Sequence, residues 1–217
     1  MSDTDVFREV DEDYRRERMV AFWRRYGGLA IGLAVVVMIA AGAFDYWNRR
    51  IEAEKAASTA ELNALMVAAA PGSEGRAADD LVAYAARADR HHATLALFAA
   101  ASLRQRIGDL NAASRIYHQV AEDNSVESDL RDLATVRLGY LTLDEAKPEP
   151  LIPRLAPIAG KDGPWRYSAK EAIALLTAKA GQRDIAATMY QELADDPGAP
   201  SDLAARARAL AELYRGK

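Results

Sequence analysis

GDLNAASRIYHQVAED, residues 108–123, returns as GQRDIAATMYQELADD, residues 181–196, and this echo decides the fold. Gly108, Ala113, Tyr117, Val120 and Ala121 recur 73 positions later as Gly181, Ala186, Tyr190, Leu193 and Ala194. Each set follows an Ala-rich stretch with apolar residues at helical spacing. Each precedes an acidic pair, Glu122-Asp123 or Asp195-Asp196. The pattern describes the second helix of a helix pair. Glycine permits a tight turn out of the first helix, a small alanine lets the two helices approach, and the aromatic fills the groove made by a neighbouring pair.

An offset of 73 is close to twice the roughly 34-residue period of tetratricopeptide repeats, whose second helices carry this signature. One further pair fits between, with helices at 129–143 and 149–158 and no glycine at its turn. Ala101 and Ala174 stand where the first helix of each pair needs a small residue. Pro148, Pro150, Pro153 and Pro157 crowd the second helix of the middle pair. Proline costs about 3 kcal/mol in a helix interior, so that helix is expected to be short, kinked or irregular. Breaks at Asp89 to His92, Gly108-Asp109, Asn124-Ser125, Lys147-Pro148, Gly160 to Pro164, Gly181-Gln182 and Pro197 to Pro200 divide the region into helices of about a dozen residues. The expected fold is all-α, a tetratricopeptide-like α-solenoid of about three to four helix pairs over 77–217. A generic helix bundle is the alternative arrangement of the same helices.

Working towards the N-terminus, 71–76 reads as a linker opened by Pro71-Gly72-Ser73, and 48–70, rich in Ala, Glu and Leu, as a helical stalk. Before it lies the uncharged run GGLAIGLAVVVMIAAGAF, residues 27–44, bracketed by Trp23 and Tyr26 on one side and Tyr46 and Trp47 on the other. At about 1.5 Å per residue, 27–47 reaches across the roughly 30 Å hydrocarbon core, with the aromatics at the two interfaces. Ala41-Gly42-Ala43 offers a small-x-small cleavage pattern. The run nevertheless exceeds the roughly 7 to 15 residues of a signal-peptide core, and the lead-in is long and acidic, so an uncleaved signal anchor is expected. Arg15, Arg16, Arg18, Arg24 and Arg25 outnumber Arg49, Arg50 and Lys55, an excess that favours an N-terminus in the cytoplasm, so the C-terminal part is expected on the opposite side, which in a Gram-negative cell is the periplasm. Segment 1–26, with Phe7, Val10, Tyr14 and the run from Val20 to Trp23 among charges, reads as an amphipathic helix. It is either a solvated lead-in or a partner-binding surface.

Composition excludes several classes of function. From residue 48 onward, 22 Lys and Arg face 24 Asp and Glu, and no arginine cluster exceeds a pair, so nucleic-acid binding is not expected. With no cysteine there is no disulfide, thiol chemistry or N-terminal lipidation. His91 and His92 are adjacent, hence about 100° apart on a helix, and read as a helix start. His118 reads as a surface neighbour of Tyr117. No metal, cofactor, catalytic residue or small-molecule substrate is expected. The acidic pairs Asp79-Asp80, Glu122-Asp123 and Asp195-Asp196 fall at helix ends, where aspartate caps free N–H groups or is solvated. What remains is a protein-binding module. Leu103, Arg104, Arg137 and Tyr140 on the first helices are its candidate groove residues. Trp165, Arg166 and Tyr167, following a Gly-Pro turn, read as core packing or as an exposed contact.

FREVDEDYRRERMVAFWRRYG (7–27) leading straight into a single span with its aromatic exit at Tyr46-Trp47, and GPWRYSAKEAIALLTAKAGQRDIAATMYQELADDPGAPSDLAARA (163–207), resemble a known family. They are similar to bacterial inner-membrane tetratricopeptide proteins that are ancillary subunits of the SecYEG translocon, especially the alphaproteobacterial members. The resemblance implies an inner-membrane protein with periplasmic repeats. Such a protein would touch the translocon laterally and work beside periplasmic chaperones on exported polypeptides. A scaffold for cell division or for outer-membrane and envelope assembly is the alternative function for the same architecture.

Overall fold

The computed structural model describes residues 3–141 and 151–216, with most side chains before residue 36 outside the described set. Trp23, Phe7, Val10 and Tyr14 are among those side chains; Leu143, Pro148 and Pro150 also fall outside the described residues. The chain divides into two compact units, Met1–Ala57 and Ser58–Lys217.

The first unit is the greater part of helix α1, Asp3–Val67. Arg49 pairs with Asp45 at 2.9 Å and Arg50 with Glu54 at 3.3 Å, both one helical turn apart and exposed. Helix α1 is unbroken through 27–47. Among the described residues no helix is long and apolar enough to cross a membrane; the side chains at 27, 29–31, 34 and 35 lie outside that set.

The second unit holds residues 58–67 of α1 and then α2 (Glu74–Ala85), α3 (Arg90–Arg106), α4 (Leu110–Glu122), α5 (Ser128–Leu141), α6 (Ile152–Gly160), α7 (Arg166–Lys179), α8 (Arg183–Asp195) and α9 (Ser201–Arg215). From α2 onward each helix packs on the next, and α5 also touches α7. No strand occurs among the described residues. This nearest-neighbour packing is that of a solenoid.

One buried motif generates the pairs. A small or aliphatic residue, a large one four positions on and a third after three more form the inner seam of each second helix. The sets are Ala77/Leu81/Tyr84, Ala113/Tyr117/Val120, Leu151/Leu155/Ile158 and Ala186/Tyr190/Leu193, all buried. Five residues before the first member stands Gly72, Gly108 or Gly181, with φ of 90°, 79° and 84°. That left-handed conformation is the reason for glycine there. At Gly108 and Gly181 it closes a Schellman turn. The Asp109 N–H donates to the Arg104 carbonyl at 2.9 Å and that of Gly108 to Gln105 at 3.1 Å; Gln182 to Thr177 and Gly181 to Ala178 repeat the pattern at 3.1 and 3.0 Å. The Asp109 carboxylate then caps α4 by accepting from the Ala112 N–H at 3.1 Å.

The middle pair keeps the seam without the aromatic. Its close approach falls at Gly139 on α5, where a Cβ would lie 3.2 Å from Leu155 Cδ1 and 3.3 Å from Ala172 Cβ. Helix α6 is as short as its prolines require. Pro153 sits in the first turn, where no intrahelical N–H is needed, and Pro157 lies inside the nine-residue helix.

The unit begins earlier than a boundary at residue 77 allows. Residues 58–67, in the stretch read as stalk, are the first helix of the first pair, and Pro71-Gly72-Ser73 is the turn inside that pair. Leu62 is buried and Leu65 partly buried against Ala77, Ala78, Leu81, Tyr84 and Ala100. Polar ties hold the same contact. Tyr84 Oη donates to the Ser58 carbonyl at 2.9 Å, Arg87 grips Glu61 through two hydrogen bonds of 2.6 and 3.2 Å, and His92 Nε2 lies 3.0 Å from Thr59 Oγ1. With this pair the described residues contain four helix pairs. Helix α9 closes the stack by burying Leu203, Ala207 and Ala211, with Tyr214 stacked on Tyr190 at 5.8 Å between ring centres.

Two predictions test the packing. Ala113→Leu, Ala186→Leu and Gly139→Leu should each overpack a helix approach and cost about 1–3 kcal/mol in urea unfolding of the 58–217 fragment. Leu62→Ala should cost that fragment about 2–5 kcal/mol. A 77–217 fragment as stable as 58–217 would remove residues 58–67 from the fold.

Candidate protein-binding surface

Polar side chains on the first helices and on α9 join pair to pair, as do Arg154 of α6 and His118 of α4. On α7, Glu171 is buried yet carries a carboxylate, and its two oxygens are satisfied from both sides. Arg206 of α9 donates Nε to Oε1 at 2.6 Å and Nη2 to Oε2 at 3.1 Å. Tyr140 of α5 donates its hydroxyl to Oε2 at 2.7 Å. Two donors on one buried carboxylate offset its desolvation. Burial first, then the hydrogen bond to Glu171, pushes the Tyr140 phenol far above its ordinary value. The same Glu171 contact raises Arg206. Below this cluster the Tyr190 hydroxyl is buried without a hydrogen-bond partner, and burial raises it as well.

The four groove candidates therefore separate. Tyr140 is half-buried and committed to Glu171, and Arg137, one turn before it, is exposed. Arg104 is a tie, its guanidinium on Asp79 of α2 and 3.5 Å from Asp109. Leu103 does not face a groove. It is buried against α2, because a position adjacent to Arg104 on a helix is turned by about 100° into the core. All six signature residues lie where pairs close: Gly108 and Gly181 in left-handed turns, Ala113, Tyr117, Ala186 and Tyr190 in the core. Of the four aromatics assigned to the membrane interfaces, Tyr26, Tyr46 and Trp47 are exposed on α1, and the Trp23 side chain lies outside the described residues.

The histidines and acidic pairs serve the framework. His91 and His92 stand in the first turn of α3, where Asp89 accepts from both backbone N–H groups at 3.1 and 3.3 Å. His92 Nδ1 also lies 2.6 Å from Asp89 Oδ2. Asp89, His92 and Thr59 thus stand in the order of a nucleophile relay. The row ties the first turn of α3 to residues 58–67 through Thr59. Burial opposes ionisation of Asp89, but the His92 ring and the two N–H donors outweigh it and hold its carboxyl low. His118 of α4 meets Arg154 of α6 at 3.3 Å and, within its own helix, Glu122 at 3.7 Å. Trp165 packs against the central core. Among the described residues no group of three or more His, Cys, Asp or Glu is placed to hold a metal ion.

Asp123 and Asp196, 73 residues apart, end α4 and α8 in the same way, each accepting from the N–H two residues on, Ser125 at 2.8 Å and Gly198 at 3.0 Å. Asp196 also takes Lys170 Nζ at 3.1 Å and the Tyr167 hydroxyl at 3.2 Å. Residues distant in sequence, Tyr140 with Glu171 and Glu171 with Arg206, give no local spacing signal. The first pair did have one, since Gly72, Ala77, Leu81 and Tyr84 precede Gly108, Ala113, Tyr117 and Val120 by 36 positions each. The Gly198 N–H, then Lys170, hold the Asp196 carboxyl below its ordinary 3.8. A depressed folded value means that its contribution to stability is complete above that pH and is lost as pH falls through the lower folded value. Thermal unfolding between pH 5 and 2 should therefore show a loss of stability that Asp196→Asn reduces.

Comparison with known proteins agrees with this geometry. The family model described as a tetratricopeptide repeat-like domain matches residues 20–210. No curated protein and no solved structure matches the chain. Stacked helix pairs of this kind typically form non-enzymatic scaffolds for protein–protein interaction. The repeat turns, the buried seams and the extent of the match together make the chain a member of the tetratricopeptide repeat-like domain family.

Proposed function

We propose that this protein is a single-span inner-membrane subunit working beside the Sec translocon. Its N-terminus lies in the cytoplasm and its repeat unit in the periplasm, where it helps pass exported polypeptides to periplasmic chaperones. The observation that carries the reading is the pairing, in one chain, of a protein-binding repeat unit with an exposed apolar stretch of α1. Leu33, Val36, Val37, Met38, Ile39 and Phe44 are each more than half exposed in this structure. Such a run has no place in water, and a bilayer would cover it. Tyr26, Tyr46 and Trp47 at its ends suit the headgroup levels, and the arginine excess before residue 27 orients the span. The resemblance of 7–27 and 163–207 to ancillary translocon subunits supplies the partner.

Two measurements test this. A reporter active only in the periplasm should work when fused after residue 217 and fail when fused at Arg25; the reverse pattern would invert the topology. Photo-crosslinkers at Val36 and Ile39 should trap translocon subunits in intact cells, and one at Arg137 should trap chaperones or translocating chains. Capture of division or outer-membrane assembly proteins alone would replace this reading with that of an envelope scaffold.

A further inference from the structure

Two hollows adjoin at the start of α3. The first, of 310 Å³, lies between the C-terminal ends of α2 and α4 and is lined on α3 by Ala93, Thr94 and Leu97. The second, of 320 Å³, lies between the first turn of α3 and the loop leading into α5, ending at Leu130. Arg90, Thr94 and Val126 line both, so the two make one trough across the edges of the first three pairs. Each is at the small end of ligand pockets, which run from about 300 to 1,000 Å³, and has room for one or two side chains.

The walls are largely apolar, from Val82, Ala85 and Ala86 on one side to Val120 and Val126 on the other. The charge around them is negative. Helices α2 and α4 end at the trough with no basic residue in their last turns, so the partial negative charge of each C-terminus is uncompensated by its own helix. Asp89, Asp123 and Glu127 add carboxylates. Hydrogen bonds from Ser125, hydroxyl and N–H, and then the charges of Arg90 and Arg131 hold the Asp123 carboxyl below its ordinary value. Against these, Arg90 is the one lysine or arginine among the described lining residues.

From this complementarity we infer that the trough holds a short polypeptide segment of a protein partner in which apolar side chains stand beside lysine or arginine. The apolar side chains enter the two hollows, and the cation meets Glu127 and the carbonyl ends of α2 and α4. The inference rests on the reading of the repeat unit as a protein-binding module and names the chemistry of what it binds there. Nucleic acids and acidic ligands are disfavoured by the same field.

The test uses the full chain in nanodiscs of zwitterionic lipid and two fluorescein-labelled peptides, GSKLVLKSG and GSELVLESG, with empty nanodiscs as blank. Fluorescence anisotropy should give saturable binding of the lysine peptide, at least tenfold weaker binding of the glutamate peptide, and weakening with salt. Ala86→Trp, at an exposed position ending α2, should fill the first hollow and raise Kd at least tenfold with the unfolding midpoint unchanged. Glu127→Lys should shift the preference towards the glutamate peptide. No saturable binding, equal affinity for the two peptides, or indifference to both substitutions would overturn the trough. If that happens while translocon and chaperone cross-links persist in cells, the trough alone falls. If the lysine peptide binds as expected and those cross-links are missing, the translocon reading falls.

Discussion

Everything in the repeat unit depends on how closely two helices of a pair can approach. Helix axes come near only where side chains at the crossing are small, and here alanine or glycine occupies those positions: Ala101, Gly139 and Ala174 on first helices, Ala77, Ala113 and Ala186 on second ones. Once that approach is made, the larger residues four and seven positions on are carried into the seam and lose their contact with water. At about 25 cal/mol per Å² of apolar surface, it is this burial that offsets the ordering of each short helix. The left-handed glycines contribute by ending the first helix without strain just where the chain must reverse.

Polar contacts then select which pair neighbours which. Arg104 reaches Asp79 on the preceding pair, Arg154 reaches His118 and Glu122, and Arg206 reaches Glu171. Each crosses from one pair to another. The partly exposed pairs, Arg104–Asp79 and Arg154–Glu122, contribute little to stability, about 0–1 kcal/mol. The value of these contacts lies in geometry, since a shifted stacking register would leave Glu171 buried without Arg206, a far larger cost than the pair's net worth.

The legible part of the fold was the part written locally. Gly108 and Gly181 with their alanines and tyrosines occupy equal spacings, and the structure uses them identically. The middle pair was harder because leucine and isoleucine at 151, 155 and 158 replace the aromatic, and because Gly139 lies inside a helix rather than at its turn. The first pair was hidden by Pro71-Gly72, a dipeptide that marks a turn within a pair as readily as a linker between domains. Of the candidate surface, single positions such as Arg137 and Tyr140 could be read from helix order. The carboxylate that commits Tyr140 could not, because Glu171 comes to it through tertiary packing over 31 residues.

The recruitment of residues 58–67 has a consequence for turnover. In a chain whose folded part begins after a linker, a cut in that linker sheds an intact domain. Here a cut at the exposed turn around Gly72 would divide a helix pair instead. The released piece would lose the cover that Leu62 and Leu65 give to Ala77, Leu81 and Tyr84 while keeping that of α3, and so would open part of an apolar face of the kind that chaperones and proteases recognise. Such a cut would therefore destabilise the repeat unit rather than release it whole.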